Sequence, residues 1–407
     1  MLAVAALATV TACSGGSTVV ATKAAGAVGD VVATTGPQPA GPPARLTVTP
    51  RTRSTGVSPA APVTVRAAGG TLSSVRLVNP AGRQVSGTLS VDRTAWRSSE
   101  PLGYSKSYTL TVVATSPAGR ATRQVSTFST VTPDNFTMPS FGALDNGGTF
   151  GVGMPITLHF DEAVPDRAAA ERALQVDTNP PVTGAWHWID SQNLHWRPKT
   201  APGHYWRAGT KVTVSANLYG VNLGSGLYGQ ADRVASFTIG RSQIGIIDNA
   251  THMMTIYVDG KAVRKVPVSL GRGGSVTING RTIDFWTRSG PHVVLEKYQV
   301  REMKSESYGI PKDSPLGYDE KIPLAVRISG AGEFIHAASW SVADQGQRNV
   351  SHGCVNISPS NAQWFFDTFR YGDIVDVRGT PYKLGITDGL GDWNLSWTDW
   401  VKGSALG

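Results

Sequence analysis

At 407 residues the chain is too long for one hydrophobic core and has room for about three domains. Charged residues make up only 16% of it, with 46 glycines, 25 prolines and recurrent Val and Thr, which favours a mostly β protein. The formal net charge of +8 is uneven, with 12 Lys/Arg against 5 Asp/Glu in residues 1–150 and 15 against 13 in residues 251–378. The N-terminal arginines are scattered through strand-like runs without the clustering of a nucleic-acid footprint, so attraction to wall polymer or lipid headgroups is expected and nucleic acid is not.

Residues 1–13 read as an export signal. Leu2 to Val10 is apolar but too short to span a bilayer, and Val10-Thr11-Ala12 places small residues before Cys13. This resembles the lipobox of bacterial lipoproteins, in which the cysteine becomes a lipidated N-terminus, although no Lys or Arg precedes Cys13. An ordinary cleaved signal with an incidental Cys13 is the alternative. Either reading places the protein outside the cytoplasm, and no other run reaches the ~18 apolar residues of a transmembrane helix.

Residues 14–43, rich in Ser, Gly, Ala, Thr and Pro, lack apolar periodicity and read as a tether. From 44 to 131, alternating runs such as Val63-Thr64-Val65 and Tyr108 to Val112 are separated by turns such as Asn79-Pro80-Ala81-Gly82, the pattern of an antiparallel sandwich. A second unit of similar size spans 132–241, with strands at Ile156–Phe160 and Val212–Val214 and a short helix over Asp166–Leu174. His159, His187, His195 and His204 fall there at spacings that match no metal-ligand motif, and read as ordinary strand histidines.

The third unit covers 242–378. Asp259-Gly260 between two apolar runs predicts a hairpin with a two-residue turn, and further strands are expected at Val293–Leu295, Ala325–Ile328, Phe334–His336 and Ile374–Val377. Met303–Tyr318 is irregular and long, as expected of a loop that covers a substrate. Ser358-Pro359 reads as N-cap and N1 of a helix that turns Trp364, Phe365, Phe366 and Phe369 inward, which would put Cys354 on a strand-to-helix connection.

Beyond Cys13, Cys354 is the only cysteine, so it has no intramolecular disulfide partner in the body of the protein. It lies in Ser351-His352-Gly353-Cys354-Val355-Asn356, with an imidazole two residues away and a second, His336, at the end of an apolar strand. A Cys–His pair can attack an amide carbonyl and pass the proton to the departing amine. The backbone N–H groups of His352, Gly353 and Cys354 are candidate oxyanion donors. A buried structural cysteine, or a zinc site of His336, His352 and Cys354, are the competing readings; the zinc reading lacks paired ligand spacing. No metal or cofactor is expected.

Together with Phe334-Ile335-His336 and Trp340-Ser341-Val342, the cysteine stretch resembles the signature of L,D-transpeptidases with a YkuD-type catalytic domain. The order of the units is similar to the actinobacterial periplasmic form, including the segment Asp388-Gly389-Leu390-Gly391-Asp392-Trp393-Asn394. The resemblance implies two tandem immunoglobulin-like β-sandwiches and a β-rich catalytic domain with a short helix after the cysteine; outside the resemblance, Trp393, Trp397 and Trp400 make the 379–407 extension Trp-rich, and their large aromatic area favours packing back onto the domains over the alternative of binding glycan. It also implies peptidoglycan cross-linking and acylation by carbapenems. Cys354 then resembles the nucleophile, His336 the base, and His352 with Gly353 the flank of the oxyanion hole. Met303, Tyr308, Tyr318, Trp340 and Asn356 match positions that line the substrate cleft. The expected partners are donor and acceptor stem peptides, and a membrane reached through the lipid anchor. Ala337 departs from the Ser common at that position, which raises the question of what orients the base. An L,D-carboxypeptidase, a sortase-like acyltransferase and a wall-binding lipoprotein with a vestigial thiol are the alternatives; the sortase reading lacks an Arg soon after the cysteine, the next being Arg370.

Overall fold

The computed structural model describes residues 41–407. The export signal with Cys13 and most of the tether lie outside the described residues. The remainder is mostly β, and no described helix is long and apolar enough to cross a membrane.

The first sandwich pairs a four-stranded sheet, in the order Arg45–Thr49, Thr64–Ala68, Ala95–Ser98, Gly87–Leu89, with a three-stranded sheet of Thr71–Val78, Ser107–Thr115 and Ala121–Ser129. Alternation sends Leu110, Val112 and Phe128 inward, and a bulge between Leu72 and Ser74 brings Leu72 onto the same inner face as Leu77, closing a two-layer β core. In the second sandwich, Thr149–Phe150, Arg233–Ile239, Lys211–Ala216 and Leu174–Asn179 form one sheet. Gly184–Trp188, Asn193–Pro198, Ile156–Phe160 and Pro139–Ser140 form the other. The short helix forms over Arg167–Arg172, where the Asp166 side chain accepts the Ala169 N–H as an N-cap. The sandwiches meet through Tyr104, whose hydroxyl donates to the Gly229 carbonyl at 2.7 Å and accepts the Gly220 N–H at 2.7 Å.

The third unit has a five-stranded sheet in the order Lys261–Pro267, Met253–Val258, Gln243–Asp248, Ile374–Arg378, Gly290–Val293. A four-stranded sheet follows the order Lys297–Lys304, Asp319–Arg327, Phe334–Ala337, Val355–Ile357. The hairpin turn falls on Asp259 and Gly260, both at positive φ (47° and 78°), the geometry that favours Asp-Gly. The strand expected at Val293–Leu295 lies over Gly290–Val293 instead. Val294 donates to the Asp373 carbonyl and Leu295 to the Arg327 carbonyl, so the apolar run is spent crossing between sheets.

The helix runs Pro359–Thr368 with Ser358 accepting the Asn361 N–H. Phe365, Phe366 and Phe369 are buried, whereas Trp364 is half-buried beneath the Arg264 guanidinium. Val355–Ile357 pairs in parallel with Phe334–Ala337, so Cys354 sits at a loop-to-strand junction one strand earlier than the strand-to-helix connection expected.

The last residues bind the second sandwich to the third unit. Trp393 donates to the Gly153 carbonyl and Trp400 to the Ala185 carbonyl, while the Asn394 amide reaches the Pro291 carbonyl of the third unit. Arg197 lies 4.7 Å from the Trp400 ring centre and 5.1 Å from that of Trp393. A Cβ at Gly151 would stand 2.0 Å from the Asp373 nitrogen, so the two backbones touch where any side chain would part them.

Candidate active site

The parallel pairing sets the register of the site. His336 lies opposite Asn356, and Cys354 precedes Asn356 by two residues, so a near-extended chain puts all three on one face. His336 and Cys354 line one cavity together with Met303, Tyr318 and Trp340. A second cavity, lined by Arg281, Asp284, Tyr308 and Glu333, also reaches Cys354. Cys354, His352 and Tyr318 are common to both, so the half-buried sulfhydryl lies where two chambers meet.

The His336 ring is buried, with Nδ1 3.1 Å from the carbonyl oxygen of Ala337. A carbonyl only accepts, so Nδ1 carries the proton and Nε2 presents a lone pair. Burial lowers the His336 pKa to about 4, which keeps the ring neutral near pH 7. Trp340, 58% exposed, stacks on it at 5.9 Å between ring centres. Burial pushes the Cys354 thiol up to about 12, and its sulfur lies 3.8 Å from the Gly332 carbonyl. Both shifts favour the neutral forms, a thiol and an imidazole lining the same cavity.

The turn that carries the cysteine is tied by two hydroxyls. Ser351 Oγ accepts the Gly353 N–H at 3.0 Å and donates to the Cys354 carbonyl at 2.6 Å. Thr287, fully buried, donates to the Gly353 carbonyl at 2.7 Å and accepts the Gly271 N–H at 2.9 Å. Gly353 adopts φ 144°, a left-handed value that side chains resist. Its N–H, expected as an oxyanion donor, is therefore engaged. The N–H groups of Cys354 and His352 have no partner among the described residues.

His352 packs 5.1 Å from Phe285 and 5.4 Å from Tyr318 between ring centres, and its buried Nε2 has no partner among the described residues. Burial and then the nearby Arg272 lower its pKa, so this ring is neutral as well. Tyr308 and Tyr318 descend from the connection between the Lys297–Lys304 and Asp319–Arg327 strands, with ring centres 6.1 Å apart. Ile310 in that connection is fully buried against Ile283 and Phe285, which anchors the segment that brings Tyr308 into the second cavity. Met303 and Asn356 line the chamber but are nearly buried; the Asn356 amide donates to Ser341 Oγ at 3.0 Å, so it shapes the wall.

Sequence reasoning did not find Thr287, Gly332, or Glu333 of the second cavity with its buried partner His292. His292 Nδ1 faces the Gly290 carbonyl and Nε2 faces Glu333, each at 2.9 Å. Two acceptors demand two ring protons, consistent with a His292 pKa raised by Glu333 against the opposing effect of burial. None of these residues belongs to a local pattern. The four histidines of the second sandwich are not brought together at a cation site; His187 faces the Trp400 carbonyl and His195 the Asp392 carboxylate. Among the described residues no cluster of His, Cys, Asp or Glu is placed to hold a metal.

Residues 54–222 match the family model described as a bacterial Ig domain, and residues 242–377 match that of the L,D-transpeptidase catalytic domain. The chain is 43% identical over 362 residues to L,D-transpeptidase 2 of Mycobacterium tuberculosis, covering 89% of this chain and 85% of that protein. It is 38% identical to L,D-transpeptidase 5 of the same organism, over 90% of this chain and 78% of that protein. Among solved structures it is similar to an LD transpeptidase in complex with imipenem, at 33% identity and TM-score 0.47, over 59% of this chain and 97% of that one. L,D-transpeptidase 3 of Mycobacterium tuberculosis with a faropenem-derived adduct is similar at 29% identity and TM-score 0.45, over 57% and 94%.

Proposed function

We propose the course of the reaction for this chain, which belongs to the L,D-transpeptidase family, in terms of its own side chains. Cys354 attacks the carbonyl carbon of the third residue of a donor tetrapeptide stem while His336 Nε2 takes the thiol proton. The oxygen of the tetrahedral intermediate accepts hydrogen bonds from the Cys354 and His352 N–H groups. The intermediate then collapses, the C–N bond breaks, and His336 returns the proton to the departing D-Ala. In the second half, His336 takes a proton from the side-chain amine of an acceptor stem. That nitrogen attacks the thioester, the C–S bond breaks, and Cys354 recovers its proton. The product joins two third residues. Water in place of the amine gives L,D-carboxypeptidase activity.

The placement of Cys354 between two chambers is the observation that carries this reading. The base must reach both the leaving amine and the incoming one. Both then pass through the chamber that His336 lines, while the body of the donor stem lies against Arg281 and Tyr308 on the other side. Tyr318, Met303, Trp340 and Asn356 form the wall of the acceptor side. A strained β-lactam presents a comparable carbonyl, so carbapenems acylate Cys354. The protein acts outside the cytoplasm, held to the membrane by a lipid on Cys13. Incubation with a disaccharide-tetrapeptide tests the assignment. Mass analysis is expected to find a dimer linked between two third residues and free D-Ala; a tripeptide alone would assign hydrolysis instead.

A further inference from the structure

The net charge of this protein is held in its first sandwich. Residues 44–131 contain 11 Lys/Arg and 2 Asp/Glu, a formal charge of +9, whereas the rest of the chain carries 26 against 27. All eleven cations are exposed. Both acids are already engaged, Glu100 by Arg83 and the Ser86 N–H, and Asp92 by Ser90 and Thr94. Ten of the eleven are arginine, against 15 Arg and 11 Lys elsewhere, and arginine's planar fork suits a phosphate better than the point charge of lysine.

The arrangement is ordered on the four-stranded sheet. Arg45 pairs with Ala68, Thr47 with Arg66, and Thr64 with Arg97. Arg45 and Thr47 share a face, as do Arg66 and Thr64, so the three arginines run diagonally across three neighbouring strands. Each step is one strand across and two residues along, roughly 8 Å. Thr47, Thr49, Thr64 and Thr88 lie beside the diagonal and add hydroxyl donors.

We propose that this arginine diagonal binds a flexible wall polymer bearing repeated phosphodiesters, holding the enzyme to the wall independently of its active site. A bilayer fits the surface less well. Exposed cations continue onto the opposite sheet at Arg76 and Arg123, where a planar membrane touching the first face has no reach. The sandwich exposes Val91 and Val125 but no aromatic ring, so it lacks the Trp or Phe anchors that hold a basic surface in a lipid interface. A flexible chain can follow both faces.

The test uses the full chain carrying Cys354→Ala, so that no wall peptide is altered, and reads its binding to immobilised poly(glycerol phosphate) as salt is raised. The expected result is binding that weakens with salt and falls at least about tenfold in the triple variant Arg45→Gln, Arg66→Gln, Arg97→Gln, with thermal unfolding unchanged. The matching triple lysine variant is expected to recover part of the loss. Absence of binding by the parent, or equal binding by the glutamine variant, would overturn the proposal. So would phosphatidylglycerol vesicles or polyglutamate bound as tightly as poly(glycerol phosphate).

Discussion

The Nδ1 atom of His336 lies 3.1 Å from the carbonyl oxygen of Ala337, the residue that follows it. The imidazole is thus oriented by the main chain, and the side chain at position 337 has no part in fixing its tautomer. Ala337→Ser is expected to change kcat/KM by less than about threefold. His336→Gln, which removes the proton carrier, is expected to lower it by about 10²–10⁴-fold. Steady-state rates on a tetrapeptide donor compare the two.

The pH dependence follows from two neutral partners. His336 must be unprotonated to accept the thiol proton, so kcat/KM is expected to fall as pH drops through about 4 and to show no limb at the ordinary imidazole value. Because the thiol is pushed up to about 12, the ultraviolet absorbance of a thiolate should be missing at neutral pH. A pH titration of absorbance, with Cys354→Ala subtracted, measures this directly.

Ser351 and Thr287 hold the cysteine turn from its two sides. Ser351→Ala releases the Gly353 N–H and the Cys354 carbonyl together, and should lower kcat more than it raises KM, by about tenfold or more. Thr287→Val leaves a buried carbonyl and a buried N–H unpaired and should cost about 1–3 kcal/mol in denaturant unfolding.

Gly317 bears on the loop over the site. A Cβ there would stand 2.0 Å from the Lys312 carbonyl oxygen, so Gly317→Ala forces the Pro311–Gly317 turn open. Since this loop carries Tyr318 into both chambers, the variant is expected to raise KM for the donor several-fold with little change in thermal stability.

Asp373 packs against the Gly151–Gly153 segment with Oδ1 unpartnered among the described residues, and burial raises its pKa from 3.8 to about 7 despite Arg370, Arg241 and Lys297 nearby. Between these values the unfolded chain is ionised and the folded one is not, so this group makes the native state less stable as pH rises from about 4 to 7. Asp373→Asn should flatten that part of the profile, as read by melting temperature against pH.

Local chemistry was legible in the sequence wherever neighbours in the chain set it. Asp259-Gly260 imposed the hairpin turn, Ser358-Pro359 started the helix, and Asp166 capped another. The parts that escaped depend on residues far apart. Thr287 meets Gly353 across 66 positions, and Glu333 meets His292 across 41, so no window of sequence contains either contact. The same cause misplaced the strand near Val293, because an apolar run reads alike whether it pairs within one sheet or bridges two. The engaged Gly353 N–H was likewise invisible, since Ser351 offered no signal beyond its place in the stretch.

Acylation of Cys354 by a donor stem is read by intact-protein mass spectrometry after incubation with a disaccharide-tetrapeptide, with Cys354→Ala and His336→Gln alongside the parent. A mass gain equal to the donor less D-Ala is expected on the parent, slowed on His336→Gln and absent from Cys354→Ala. A folded parent that gains no mass, or a Cys354→Ala variant that gains the same mass, would contradict it.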